Sequence, residues 1–112
     1  MEVQRDETNG ILILTVPDDR IDAAVALQFK ESMRQATSNA NERIVLDLRN
    51  VSFVDSSGLG AIVGSMKQLP ANKTLDLSGL TPTVEKVFQL TRMDTIFRIY
   101  PDLDAALEMV QS

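Results

Sequence analysis

Apolar and polar residues follow each other with a changing period along this chain, and the pattern predicts strands that alternate with helices. Val3 begins a short first strand, and the apolar run 11–16, which comes after the turn signal at Gly10, predicts a second strand. From Asp22 onward, apolar residues recur every three or four positions, which predicts a first helix with Asp22 as its N-cap. The apolar face of this helix holds Ala26, Phe29, Met33 and Ala36.

The middle of the chain contains a nearly continuous apolar run. Residues 44–48 are typical of a central strand that is covered on both faces. A second helix is predicted to start near Ser56 and to end at Pro70, and residues 75–77 predict a further short strand. Thr81 and Pro82 then predict the start of a third helix, whose apolar face holds Val84, Val87 and Phe88.

The last part of the chain predicts an edge strand at 97–100 and a final helix that opens at Pro101-Asp102. The apolar face of that helix holds Leu103, Ala106, Leu107 and Val110. Strands alternating with helices favour an α/β sandwich, with a mixed sheet of about five strands and about four helices. We expect residues 1–112 to form a single domain, because 112 residues are in the usual size range for one core.

Composition argues against several classes of function. The chain has no cysteine and no histidine, which excludes disulfides, thiolate nucleophiles and zinc-thiolate sites and removes the commonest general base and metal ligand. We expect no metal site, no cofactor and no catalytic residue. Its net charge of -5, without a dense basic cluster, argues against nucleic acid as a partner. No apolar run approaches the roughly 18 residues of a membrane span, and the first residues lack a signal-peptide pattern. We therefore expect a cytoplasmic protein without membrane insertion.

The segment 55–60 places two hydroxyl groups and two glycines at a strand-to-helix junction. The first turn of a helix has free N–H donors and a partial positive charge, so a phosphate attached there is stabilised. Gly58 and Gly60 are expected to leave the surface open to another protein's active site. Ser56 is therefore a candidate phosphoacceptor, although on the residues alone an N-cap role for Ser56 or Ser57 is the commoner explanation.

The run 44–48, followed by the segment 53–60 with the sequence FVDSSGLG, resembles the signature of the STAS domain family. This family includes the bacterial anti-sigma factor antagonists. The resemblance extends to Ile21-Asp22, to 75–80 and to 97–101, and so covers essentially the whole chain. It implies a STAS-type sandwich and makes Ser56 the preferred phosphoacceptor.

The resemblance implies that the protein is not an enzyme and acts by partner switching. In such a switch, the unphosphorylated antagonist binds an ATP-dependent anti-sigma factor serine kinase and so frees the sigma factor. The kinase then phosphorylates the serine after Asp55, which is Ser56, with Ser57 as the second choice, and a serine phosphatase resets the protein. Asp22 matches a family aspartate that helps to engage the kinase. The expected partner-binding residues are Asp22, Asp55, Ser56, Ser57, Gly58 and Leu59.

Two other functions stay open at this point. Relatives of the fold also serve as non-catalytic subunits of stress-sensing or lipid-transport complexes. The second is a small enzyme, such as a nucleotide hydrolase, whose turnover would depend on Ser56 or Asp22. Separately, Asp22 and Asp55 could form a catalytic carboxylate pair for acid-base chemistry. Because the chain lacks histidine and cysteine, capping and partner contact are favoured over catalysis for both aspartates.

Overall fold

The computed structural model describes residues 1–38 and 43–108, which form a five-stranded sheet, a separate pair of short strands and four α-helices. The elements in chain order are β1 (Gln4–Thr8), β2 (Ile11–Thr15), β3 (Arg20–Ile21), α1 (Ala26–Thr37), β4 (Arg43–Asp47), β5 (Phe53–Val54), α2 (Ser56–Lys67), β6 (Thr74–Ser78), α3 (Pro82–Leu90), β7 (Ile99–Tyr100) and α4 (Leu103–Glu108), with a 3-10 turn at Met93–Thr95. The predicted α/β sandwich, with a mixed sheet of about five strands and about four helices, is confirmed.

The large sheet is mixed because its first strand runs against the others. The strand order is β1-β2-β4-β6-β7, and β1 pairs antiparallel with β2, whereas every other pair in this sheet is parallel. Asn9 and Gly10 connect β1 to β2 with φ angles of 54° and 79°. Positive φ at two successive positions suits a two-residue hairpin, which explains the turn signal at Gly10. The four parallel strands end at one common edge of the sheet.

Helices cover both faces of the sheet. Ile44 and Leu46 belong to a large core that also contains buried side chains of α1, α2 and α3. Val45, between them, points to the opposite face, where it packs in a second cluster with Tyr100 and with Ala106 of α4. The continuous apolar run of β4 is therefore buried on both sides, as the pattern predicted. None of the helices in the described ranges combines the length and the apolar character that a membrane span requires.

The first helix begins later than predicted. It starts at Ala26, and the N-cap position belongs to Val25, so the prediction that Asp22 caps this helix is wrong. Asp22 instead closes a turn ahead of the helix, since its Oδ1 accepts from the N–H of Ala24 at 3.1 Å and its carbonyl accepts from the N–H of Val25 at 3.1 Å. Aspartate favours such turns because its short side chain competes for nearby backbone donors.

The C-terminal elements also differ from the prediction in their bounds. The predicted edge strand at 97–100 is reduced to Ile99–Tyr100, because the N–H of Phe97 donates to the carbonyl of Met93 at 3.2 Å and so belongs to the preceding turn. The Phe97 ring lies in the core and meets the ring of Phe88 edge to face at 6.1 Å between centroids. The final helix opens as predicted, with Oδ1 of Asp102 accepting from the N–H of Ala105 at 2.8 Å. Val110, the last predicted residue of its apolar face, lies outside the described residues.

Candidate functional site

A pair of two-residue strands outside the main sheet positions the candidate site. β3 and β5 run parallel, with Arg20 opposite Phe53 and Ile21 opposite Val54. Because parallel strands point the same way, the segments that follow them leave from the same end of the pair. Asp22 follows β3, and Asp55 and Ser56 follow β5, so this pairing brings together the residues that the sequence singled out. The strand-to-helix junction predicted at Asp55 implied β5, but sequence reasoning missed β3 and its pairing with β5, since two residues are too short to show a period.

Asp55 is the N-cap of α2 and ties the start of this helix to the turn before α1. Its Oδ1 accepts from the N–H of Gly58 at 2.8 Å, and its Oδ2 accepts from the N–H of Ala23 at 3.0 Å. Its own N–H donates to the carbonyl of Ile21 at 3.4 Å. The prediction that Ser56 or Ser57 caps this helix is wrong, because Asp55 already occupies that position.

These backbone donors also set the protonation state of Asp55. The hydrogen bond from Gly58 lowers the pKa of the Asp55 carboxyl, and the N–H groups of Ala23 and Ser57 act in the same direction against desolvation, which raises it. The net result is a pKa below the usual value, so Asp55 is a carboxylate at neutral pH. Its two oxygens bind the backbone, and its role in the site is to position the first turn of α2.

We expect Asp55→Asn to lower the unfolding temperature at neutral pH, because an amide can accept from Gly58 but its NH₂ group cannot accept from Ala23. A depressed folded-state pKa means that this stabilisation is present above the unfolded value, about 4, and is lost as the pH falls through the folded value. Thermal unfolding of both proteins from about pH 7 to about pH 2 measures the difference. The difference in unfolding temperature between the two proteins should stay constant down to about pH 5 and shrink below about pH 4. A difference that is unchanged in acid would contradict this role of the carboxylate.

Ser56 and Ser57 occupy the first two positions of α2, and both are exposed. In the same turn, the N–H of Gly58 binds the Asp55 side chain, and the N–H of Leu59 donates to the Asp55 carbonyl at 2.8 Å. The hydroxyl groups therefore stand at the positive end of a well-capped helix, where a negative group is stabilised. This placement agrees with the requirements of a phosphoacceptor.

Asp22 lies on an exposed surface next to two residues that the sequence analysis did not single out. Its Oδ2 is 3.6 Å from Nε of Arg20, and the guanidinium carbon of Arg20 lies 4.9 Å from the ring centroid of Phe53. Phe53 is 39% exposed although it is aromatic. The sequence carried no signal for this exposure, because Phe53 and Val54 are both apolar and form a strand of only two residues. Arginine and aromatic residues are enriched at the energetic centres of protein interfaces.

The two glycines of the motif have different roles. Gly58 is buried, and a Cβ at this position would lie 1.9 Å from the carbonyl oxygen of Ile21. The expectation that Gly58 opens the surface to a partner is therefore wrong, because Gly58 instead allows α2 to approach β3 closely. Gly60 is exposed, and a Cβ there would meet no atom within 4 Å. Leu59 is half-buried and packs against the main core.

The site is suited to recognition and modification. A general acid needs a pKa raised toward neutrality, whereas the pKa of Asp55 is lowered. Across residues 1–38 and 43–108, no group of three or more acidic, histidine or cysteine side chains could hold a metal ion. Of the predicted partner-binding residues, Ser56 and Ser57 are exposed, Asp22, Asp55 and Leu59 are half-buried, and Gly58 is buried.

Comparison with known proteins finds a matching family model and similar sequences over most of the chain. The family model of the STAS domain matches residues 2–106. The anti-sigma-B factor antagonist of Listeria monocytogenes is 34% identical over 102 residues, which cover 88% of this chain and 86% of that protein.

Solved structures share the fold over nearly the full length. An anti-sigma factor antagonist from Mycobacterium paratuberculosis has a TM-score of 0.87 at 24% identity, covering 98% of this chain and 93% of that one. The anti-sigma factor antagonist SpoIIAA in its unphosphorylated form has a TM-score of 0.76 at 25% identity, covering 97% and 96%. The Bacillus protein SpoIIAA in its phosphorylated form has a TM-score of 0.68 at 24% identity, covering 96% and 98%.

Proposed function

Because this chain belongs to the STAS domain family, we propose that it is an anti-sigma factor antagonist that is switched by phosphorylation of Ser56. The observation that carries the proposal is the exposed Ser56 at the first position of α2, with Asp55 in the capping role that a serine would otherwise take. The unphosphorylated protein binds an anti-sigma factor with serine kinase activity in the cytoplasm and so frees the sigma factor. The relative that is 34% identical over 102 residues is an anti-sigma-B factor antagonist.

The docking surface in this proposal surrounds the start of α2. Ser56 and Ser57 supply the polar centre, and Phe53 supplies an exposed ring that a partner can cover. The surface also carries one negative and one positive charge, since Oδ2 of Asp22 lies 3.6 Å from Nε of Arg20. Such a surface favours a partner with complementary charges, whose active site reaches the Ser56 hydroxyl while its rim contacts the β3–β5 pair.

Phosphorylation changes the charge of this surface more than its shape. A phosphate on Ser56 adds about -1.5 to -2 charge at pH 7 beside the carboxylates of Asp22 and Asp55. The positive end of α2 stabilises the modified serine within the protein. A partner that fits the neutral serine then meets excess negative charge and added bulk, so it dissociates. Removal of the phosphate by a serine phosphatase restores binding.

The assignment of Ser56 is tested by intact-mass measurement after incubation with ATP and the serine kinase that copurifies with the protein from its native cells. We expect the wild type and Ser57→Ala to gain one phosphate and Ser56→Ala to gain none. Ser57→Ala is the matched control because both serines are exposed residues of the same helical turn. Phosphate on Ser56→Ala would show that another residue is the phosphoacceptor. If none of the proteins were modified and only non-kinase partners were recovered, a scaffold role in a larger complex would replace the switch.

A further inference from the structure

A cleft of about 530 Å³ opens at the edge of the main sheet where β4, β6 and β7 begin. Ser56 and Met66 stand near opposite ends of α2, and Met66 lines the cleft, so the phosphorylation site lies away from it. The volume is in the range of small-molecule sites in proteins. We infer that this cleft binds a small amphipathic anion, with a carboxylate or phosphate head group and a short apolar body. This inference does not depend on the proposed role of Ser56.

The charges of the cleft differ from those of the whole chain. Among the described residues, three basic side chains line it, Arg43, Lys73 and Arg98, and one acidic side chain, Asp76. Within the described ranges, Arg43 takes Asp76 as its ion-pair partner, whereas Lys73 and Arg98 form no salt bridge. Among the residues that the structure describes, the cations of Lys73 and Arg98 are therefore available to a ligand, in a protein whose net charge is -5.

Arg43 forms a fixed wall of the cleft. Its guanidinium group contacts Oδ2 of Asp76 at 2.9 Å, the hydroxyl of Tyr100 at 3.4 Å and the carbonyl of Ala106 at 3.2 Å. Its guanidinium carbon also lies 5.7 Å from the centroid of the Tyr100 ring. A side chain with this many partners keeps its position when a ligand arrives, so little ordering accompanies binding.

Apolar side chains complete the lining and define the body of the ligand. Met66, Leu75 and Tyr100 contribute to the wall, and Ile96 at the same cleft is 46% exposed. Covering Ile96 with an alkyl or aromatic group removes apolar area from water, which favours binding. Because the cations and the apolar residues share one cleft, the ligand class combines an anionic head with an apolar body.

The test is a titration followed by amide chemical shifts, with octanoate as the probe. Octanol supplies an apolar body without a charge, and inorganic phosphate supplies an anion without an apolar body. We expect saturable shifts from octanoate at amides lining the cleft. Octanol and inorganic phosphate should each bind about tenfold or more weakly than octanoate. Equal binding of octanol or of phosphate, or shifts that do not map to the cleft, would overturn the inference.

Variants then connect the affinity to the two available cations. The double variant Lys73→Glu/Arg98→Glu should bind octanoate about tenfold more weakly, because it reverses both charges. Lys86→Glu/Arg92→Glu is the control, since it makes the same charge change at exposed residues that do not line the cleft. Unchanged affinity in the first variant, or an equal loss in the control, would contradict the site. Both variants should still accept phosphate at Ser56, so the two proposals can fail separately.

Discussion

Gly58→Ala is expected to destabilise the protein by about 3 kcal/mol, because the added methyl group has no space. Its carbon would lie 1.9 Å from the carbonyl oxygen of Ile21, and a backbone oxygen cannot rotate away as a side chain can. Relief requires α2 to separate from β3, which would also break the hydrogen bond from Asp55 N–H to Ile21. Urea unfolding followed by circular dichroism measures the change in the free energy of unfolding.

Gly60→Ala is the matched control in the same helix. A Cβ at Gly60 meets no atom within 4 Å, and alanine is the better helix former, so this variant should be more stable by about 0.5 to 1 kcal/mol. Opposite signs for two glycines that lie two positions apart would establish that α2 approaches β3 at Gly58. Equal stability of Gly58→Ala and the wild type would contradict that approach.

Ser56→Glu should weaken binding to the anti-sigma factor kinase by at least about tenfold, because it places a permanent negative charge at the centre of the docking surface. Ser56→Ala should bind like the wild type, since it adds neither charge nor volume. Isothermal titration of the purified partner with each variant measures the affinities. Ser57→Glu is the control for a charge in the same helical turn, and its effect should be smaller.

A loss of affinity that is equal for Ser56→Glu and Ser57→Glu would assign the effect to overall charge and not to Ser56. Full binding of Ser56→Glu would remove this residue from the docking surface. In both cases the fold of each variant should be checked by its unfolding temperature. Both serines are exposed, so we expect changes close to zero.

The elements that the sequence predicted well are those whose signal repeats over many residues. β2 and β4 are continuous apolar runs, and the apolar face of α1 places Phe29 and Met33 in the core. Periodicity reports burial directly, because each buried face imposes its spacing on the chain. The α/β sandwich followed from the order of these elements.

The parts that the sequence did not predict depend on contacts between distant residues. Asp55 caps α2 while binding Ala23, which is 32 positions earlier, and no local pattern reports such a partner. Serine is a favoured N-cap residue, but in α2 the aspartate one position earlier takes the N-cap position. The role of Gly58 was predicted wrongly for the same reason. The backbone that it approaches is that of Ile21 in β3, a strand of only two residues.

The surface around Ser56 was predicted only in part. Asp22, Asp55 and the serines were found, but Arg20 and Phe53 were not, although their side chains stack at 4.9 Å beside Asp22. Their contact depends on the parallel register of β3 and β5. It becomes visible only once the pairing of these strands is known.

In the proposed switch, a phosphate on Ser56 ends the competition between this protein and a sigma factor for the anti-sigma factor. The most direct measurement follows the fluorescence anisotropy of a labelled sigma factor bound to the anti-sigma factor while this protein is added. The unphosphorylated protein should release the sigma factor, and the protein phosphorylated on Ser56 should leave it bound at the same concentration. Equal release of the sigma factor by both forms would contradict a switch by phosphorylation of Ser56.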